Sequence, residues 1–194
     1  MNRALLLNTA RRWGAALCLA TGVGGWASPA AAQSAPGPAL VAAAANMQTA
    51  LNELVPLFER EGKGKVSLSI GSSANLVRQI QQGLPAELFL SADEDFALRL
   101  ADAGLTPDRG VVYATGRIVL VVPKDSPLKL DPQLAGLKDA LKSSPDSVQK
   151  FAIANPELAP YGKAAVQALQ KQAVWPQLQP KLVMGENIAQ TTQY

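Results

Sequence analysis

The chain predicts an α/β fold with mostly parallel strands. Ala39–Ala45 is an unbroken apolar run, as expected of a strand covered on both faces. Val66, Leu68 and Ile70 alternate with polar residues, the period of a strand with one buried face. After each of these runs the apolar residues change to helical spacing, so strand and helix signals alternate along the chain. No internal repeat or low-complexity segment interrupts that order.

Taken in sequence, the first helix starts at Met47 and carries Ala50, Leu51, Leu54 and Phe58 on one face. Pro56 lies within it and predicts a kink or an early end, because an interior proline costs ~3 kcal/mol. Leu76, Val77, Ile80 and Leu84 mark a second helix, with Gly83 as its stop. Glu87–Ser91 reads as a third strand. Asp93 can cap the helix after it, which buries Phe96, Ala97 and Leu100 and stops at Gly104. Arg117–Val122 reads as a fourth strand, and Asp125–Pro145 as loop with a short helix around Leu134–Leu141. Phe151–Ala154 is a strand, Lys163–Gln172 a helix and Lys181–Met184 a strand, and a last helix opens at Ile188.

Composition narrows the function classes. Met1–Trp13 carries Arg3, Arg11 and Arg12 and no acid; an apolar stretch follows, then the small residues Ala30-Ala31-Ala32 before Gln33. That order marks residues 1–32 as a secretory signal peptide, with an apolar part too short to span a bilayer. Residues 33–38 (QSAPGP) form a leader of turn-forming residues. The single cysteine, Cys18, falls inside the signal, so the expected mature chain has no disulfide and no thiolate metal site. The chain has 18 basic and 15 acidic residues, and setting aside the three arginines of the signal leaves 15 of each. With no basic run interleaved with aromatics, nucleic-acid binding is not expected. Histidine is absent, which removes Ser-His-Asp catalysis and histidine-ligated metal sites.

Four strand-to-helix junctions carry residues that suit an anion: Ala45–Asn46, Ser72–Ser73, Pro160–Tyr161–Gly162 and Glu186–Asn187–Ile188. Helix starts expose N–H groups and the positive end of the helix dipole, and open α/β folds bind ligands beyond the carboxyl ends of their strands. Ser73 could donate its hydroxyl and Asn46 its side-chain NH₂. At Tyr161 and Ile188 the backbone amide would be the useful group. Each has an ordinary structural role too: Ser and Asn are favoured helix caps, Tyr161 a turn residue, and Ile188 a core residue. The case for a site is collective.

Other constellations are weaker. Asp93-Glu94-Asp95 resembles the start of a calcium loop, but Ala97 and Leu98 stand where an oxygen ligand and a glycine belong. Glu87 and Asp93 form no defined carboxylate pair. Gly62–Gly64 is too short for a phosphate loop and reads as a tight turn.

Five segments together resemble the periplasmic molybdate-binding proteins of ABC importers: Ala42–Met47 (AAAANM), Gly71–Asp93 (GSSANLVRQIQQGLPAELFLSAD), Ile118–Ser126 (IVLVVPKDS), Ala154–Leu169 (ANPELAPYGKAAVQAL) and Gly185–Ile188 (GENI). They cover most of the expected mature chain in consistent order, and the long second segment is the most specific. The resemblance implies the two-lobed type II periplasmic-binding-protein fold, with lobe 1 at 39–116 and lobe 2 at 117–194. It implies oxyanion contacts at Asn46, Ser73, Tyr161 and Ile188. Many members of that family have serine where this chain has Asn46. Members also continue for several dozen residues beyond the position of Tyr194, with a tyrosine that completes the site and a return to lobe 1. The chain is therefore expected to be C-terminally incomplete.

The expected function is capture of molybdate, and of tungstate with it, in the periplasm for delivery to an ABC transporter permease. The binding protein is expected to be a monomer with no cofactor and no enzymatic activity, its molybdenum entering only as the oxyanion. The alternatives are sulfate or another tetrahedral oxyanion as ligand or, from a different class, a secreted hydrolase using Ser73 as nucleophile with Lys63 or Lys65 as base.

Overall fold

A computed structural model describes residues 37–194. The signal peptide, Cys18 and most of the leader lie outside the described residues. Three parallel strands form the first sheet: β1 (Ala39–Ala44) at the centre, flanked by β2 (Val66–Gly71) and β3 (Leu88–Leu90). A second sheet pairs β4 (Phe151–Ala154) in parallel with β5 (Leu182–Gly185). Both sheets belong to one compact unit, Pro36–Tyr194.

β1 is continuous in apolar residues because it is buried between two neighbours, and Ala42, Ala43 and Ala44 are almost fully covered. α1 (Gln48–Arg60) packs Leu51 onto this strand with Val41 and Ala43. α2 (Ser73–Gln81) and α3 (Glu94–Asp102) pack together through Ala74, Val77, Phe96 and Leu100. In the second half, α4 (Ala135–Ser143), α5 (Pro160–Lys171) and α6 (Trp175–Leu178) enclose Leu137, Leu141, Leu169, Val174 and Leu178. Complete burial of one such leucine is worth about 2–3 kcal/mol. α7 (Ile188–Thr191) follows β5.

The predicted caps and stops are present. Asp93 Oδ1 accepts the Phe96 N–H at 3.2 Å, and α2 gives way after Gln82 to Gly83 at φ +98°. A cap absent from the sequence reading is Asp131, whose carboxylate accepts the N–H groups of Gln133, Ala135 and Gly136 at the start of α4. Those bonds hold its carboxyl below the usual carboxylate range.

Three expectations need correction. α1 runs through Pro56 to Arg60 without ending early. Pro56 is exposed, and the far end of the helix is tied to β2 by Glu59, which accepts from Val66 N and Lys65 Nζ. On that helix only Leu51 is buried, while Leu54 and Phe58 remain about half exposed. Arg117–Val122 forms no strand: its backbone pairs with no strand among the described residues, and Val119 is 82% exposed. An extended run becomes a strand only where a neighbour accepts its ladder of hydrogen bonds.

Two glycines let helices sit close to the ends of the second sheet. A Cβ on Gly162, in the first turn of α5, would stand 2.0 Å from the Ala154 carbonyl oxygen. One on Gly185 would stand 2.5 Å from Thr191 Oγ1. Backbone atoms stand behind both contacts, the Ala154 carbonyl itself and Thr191 N at 2.8 Å, so neither can be relieved by turning a side chain alone. Gly162→Ala is expected to destabilise the chain by about 1–3 kcal/mol, seen as a lower denaturation midpoint in urea.

Candidate functional site

Parallel pairing determines which residues meet. Ala44 lies opposite Gly71 in the β1–β2 ladder, and Ala154 lies opposite Gly185 in the β4–β5 ladder. Each pair leaves its sheet at the same level, so the junctions that follow converge. The 3₁₀ turn Ala45–Met47 carries Asn46, Ser72 is the N-cap of α2 and Ser73 its first residue. Tyr161 lies in the first turn of α5, and Ile188 opens α7, which touches the turn Ala45–Met47.

All four predicted contact residues line one cavity, together with Ser72, Ala92 and Asn187. No charged side chain lines it. Its free volume for water-sized centres is about 10 Å³, the space of a single water. An ion of five heavy atoms does not fit unless the walls move apart.

The polar groups around the cavity fall into two sets. Some are braced: Ser73 is 1% exposed and its Oγ accepts the Ala92 N–H at 3.1 Å, which leaves its own proton to donate. Ser91 supports this loop, accepting at its Oγ from Asp93 N and at its carbonyl from the Tyr113 hydroxyl, the latter at 2.7 Å. Burial pushes the Tyr113 phenol up from its ordinary pKa, with the neighbouring Tyr161 adding to the shift. Burial also raises the Asp93 carboxyl, against the opposing effect of its bond from Phe96 N. Asn187 caps α7 through Oδ1, accepting from Gln190 N at 3.0 Å.

Others are unpaired. Asn46 Oδ1 and Ser72 Oγ are buried without a hydrogen-bond partner, and among the described residues no other buried side-chain oxygen or nitrogen is in that state. Ser72 is an N-cap whose hydroxyl makes no capping bond. A buried polar group left unpaired costs about 1–3 kcal/mol, and two of them at one cavity indicate a place prepared for a polar guest.

Sequence reasoning placed Ser72 at the junction but carried only Ser73 forward as a contact. It gave no sign of Gly116, where a Cβ would stand 2.8 Å from Tyr161 Oη, so a larger residue there would displace the end of that ring. No sequence pattern announces such a long-range fit. Ser72 could have been weighed, since two adjacent hydroxyls precede α2.

Contacts between the two halves ring the cavity. Ala74 N–H donates to the Leu158 carbonyl at 3.1 Å, and Lys163 Nζ meets Asp95 Oδ2 at 2.8 Å. Asn75 donates to Glu186 and accepts from Arg78. Calcium chemistry at Asp93–Asp95 has no support in this geometry, since one carboxylate caps α3 and the other pairs with Lys163.

The profile of the bacterial extracellular solute-binding proteins matches residues 39–194. The chain belongs to that family. A molybdate-binding protein of Rhodobacter capsulatus is 36% identical over 187 residues, which are 96% of this chain and 68% of that relative. One from Azotobacter vinelandii is 37% identical over 155 residues, 79% of this chain and 58% of the relative's length. The solved periplasmic molybdate-binding protein of Azotobacter vinelandii matches at a TM-score of 0.61 and 24% identity, over 80% of this chain and 65% of that one. That match establishes the shared periplasmic-binding-protein fold. The chain spans 58% to 68% of the length of these relatives. The family is described as extracellular and solute-binding.

The Asp95–Lys163 pair yields a test of the contact between the two halves. Lys163 holds the Asp95 carboxyl below its ordinary value, and Asp95 raises the Lys163 ammonium. Their stabilisation is therefore present above the ordinary carboxylate range and is lost as pH falls through the lowered Asp95 value. It is lost again at high pH, as Lys163 titrates. Asp95→Lys and Lys163→Asp are each expected to lower Tm at neutral pH, and the double exchange to restore it. Thermal melts at pH 7 and pH 3 would check both halves of this statement.

Proposed function

We propose that this chain captures a fully deprotonated tetrahedral oxyanion, molybdate and with it tungstate, in the periplasm. It delivers the ion to the membrane permease of an ABC importer. One observation carries this: two buried, unpaired polar side-chain atoms line a cavity with no charged side chain, where the starts of α2 and α5 converge. The choice of ion is supported by the relatives, which are named for molybdate binding.

A bare dianion sheds hydration on entry and needs fixed dipoles in return. Ser73 donates its hydroxyl, Asn46 its amide NH₂, and Tyr161 and Ile188 their backbone N–H groups. Helix starts add the favourable end of their dipoles. Neutral donors suit an ion with no proton to give, whereas hydrogen phosphate would need an acceptor. Sulfate has the same charge and shape with shorter bonds, so the width of the loaded cavity separates it from molybdate. The protein works as a monomer without a resident cofactor or catalytic step, and closure around the ion forms the surface the permease reads.

Calorimetric titration with molybdate, tungstate, sulfate and phosphate checks this directly. Molybdate and tungstate are expected to bind, and phosphate to leave that binding unchanged at neutral pH. Ser73→Asp sets a negative charge against the ion and is expected to weaken molybdate binding by roughly a hundredfold or more. Tighter binding of sulfate than of molybdate would transfer the role to another oxyanion. Effective competition by phosphate would overturn the all-donor site.

A further inference from the structure

Asn46 and Ser72 pose a joint problem. The buried, unpaired atom of Asn46 is its carbonyl oxygen, an acceptor, in a cavity proposed to receive an anion. An amide that turned this oxygen toward a dianion would repel it. The unpaired atom of Ser72 belongs to a hydroxyl, which carries one proton to donate. Ser72 is 2% exposed, so bulk solvent does not reach it. It does not cap α2, although it stands at the N-cap with extended backbone at φ −74° and ψ 148°. Its hydroxyl is therefore uncommitted at the position where such a group ordinarily serves its own helix.

The two orphans are complementary. Ala44 and Gly71 are partners in the β1–β2 ladder, so Asn46 and Ser72 each lie within two residues of the same rung. Both line the same small cavity. We propose that Ser72 is the positioning residue of the oxyanion site: the bond is unmade in the present form, and on ligand binding its hydroxyl donates to Asn46 Oδ1 and so directs Asn46 Nδ2 to the ligand. The assignment rests on the oxyanion function above and adds a device for specificity. With Oδ1 held by a donor, the amide can offer the ligand only N–H. With Oδ1 released, it can rotate by a half-turn and accept a hydrogen, as a protonated oxyanion requires.

A double-mutant cycle with selectivity as a second readout tests this. Molybdate and phosphate would be titrated into the parent chain, Ser72→Ala, Ser72→Thr, Asn46→Ala and the Ser72→Ala/Asn46→Ala pair. Ser72→Ala is expected to weaken molybdate binding by roughly five- to tenfold, and to let phosphate compete measurably. Ser72→Thr keeps the hydroxyl and is expected to retain both affinity and selectivity. In the Asn46→Ala background, removing the hydroxyl is expected to cost less than about twofold, since its target is already gone. Ser72→Ala should leave the ligand-free Tm unchanged or raised, because it deletes a buried unpaired group. An equal loss from Ser72→Ala in both backgrounds would make Ser72 a direct contact and overturn the positioning role. Unchanged affinity and selectivity in Ser72→Ala would overturn it as well. A parent chain that binds phosphate or sulfate in place of molybdate removes the oxyanion assignment itself, and the proposal with it.

Discussion

Parallel strand pairing is the constraint on which the rest of this structure depends. Antiparallel neighbours would send successive chain ends to opposite edges of the sheet. Here β1 and β2 run the same way with Ala44 opposite Gly71, and β4 and β5 do so with Ala154 opposite Gly185. Every helix that follows must start on the same side. Sequence-distant residues such as Asn46, Ser73 and Tyr161 thereby reach one cavity although no local pattern links them. The near-complete burial of Ala42–Ala44 places this strand in the interior, covered on both faces. Gly162 and Gly185 complete the convergence by letting α5 and α7 sit close against the sheet ends.

The convergence leaves the cavity small. A folded chain normally pairs its buried polar atoms, yet Asn46 Oδ1 and Ser72 Oγ are left unpaired in a space that holds one water. The cost is borne where the helix starts are fixed by the sheets and cannot shift to relieve it. The two halves meet around the cavity through a backbone bond from Ala74 to Leu158, an exposed ion pair, the Asn75–Glu186 contact and the packing of Leu158 on the α2–α3 cluster. Exposed ion pairs of this kind are weak in water, so the apolar packing carries more of this contact than the charges do.

Much of the fold was legible in the sequence because its signals are local. The apolar run at Ala39–Ala45, the cap at Asp93 and the stop at Gly83 are decided by neighbours a few residues away, and the structure places all three as read. The failures are non-local. Arg117–Val122 has the composition of a strand, but pairing depends on a partner elsewhere in the chain. Pro56 should have weakened α1, but tethering of Glu59 to Val66 and Lys65 holds the end beyond it. At the cavity, residue types at strand ends were enough to nominate Asn46, Ser73, Tyr161 and Ile188. The unpaired state of Ser72 and the space that Gly116 leaves for Tyr161 emerge only from three-dimensional neighbours.

The distribution of charge follows from the same arrangement. Lys163, Asp95, Glu186 and Arg78 stand outside the cavity, paired or hydrogen-bonded to one another's neighbours, while its lining is neutral. A lysine placed inside would attract any anion, protonated or not, and would carry a large desolvation cost of its own whenever the site was empty. Dipoles held by the backbone are cheaper to keep buried and have fixed directions. They favour a guest that presents acceptors on every side, and they leave a proton-bearing guest with an unmet donor. A neutral lining therefore trades long-range attraction for discrimination at contact. Of the two amides that line the cavity, Asn187 is held by its bond from Gln190 N–H, whereas the Asn46 oxygen has no partner and its amide is free to reverse its polarity by rotating.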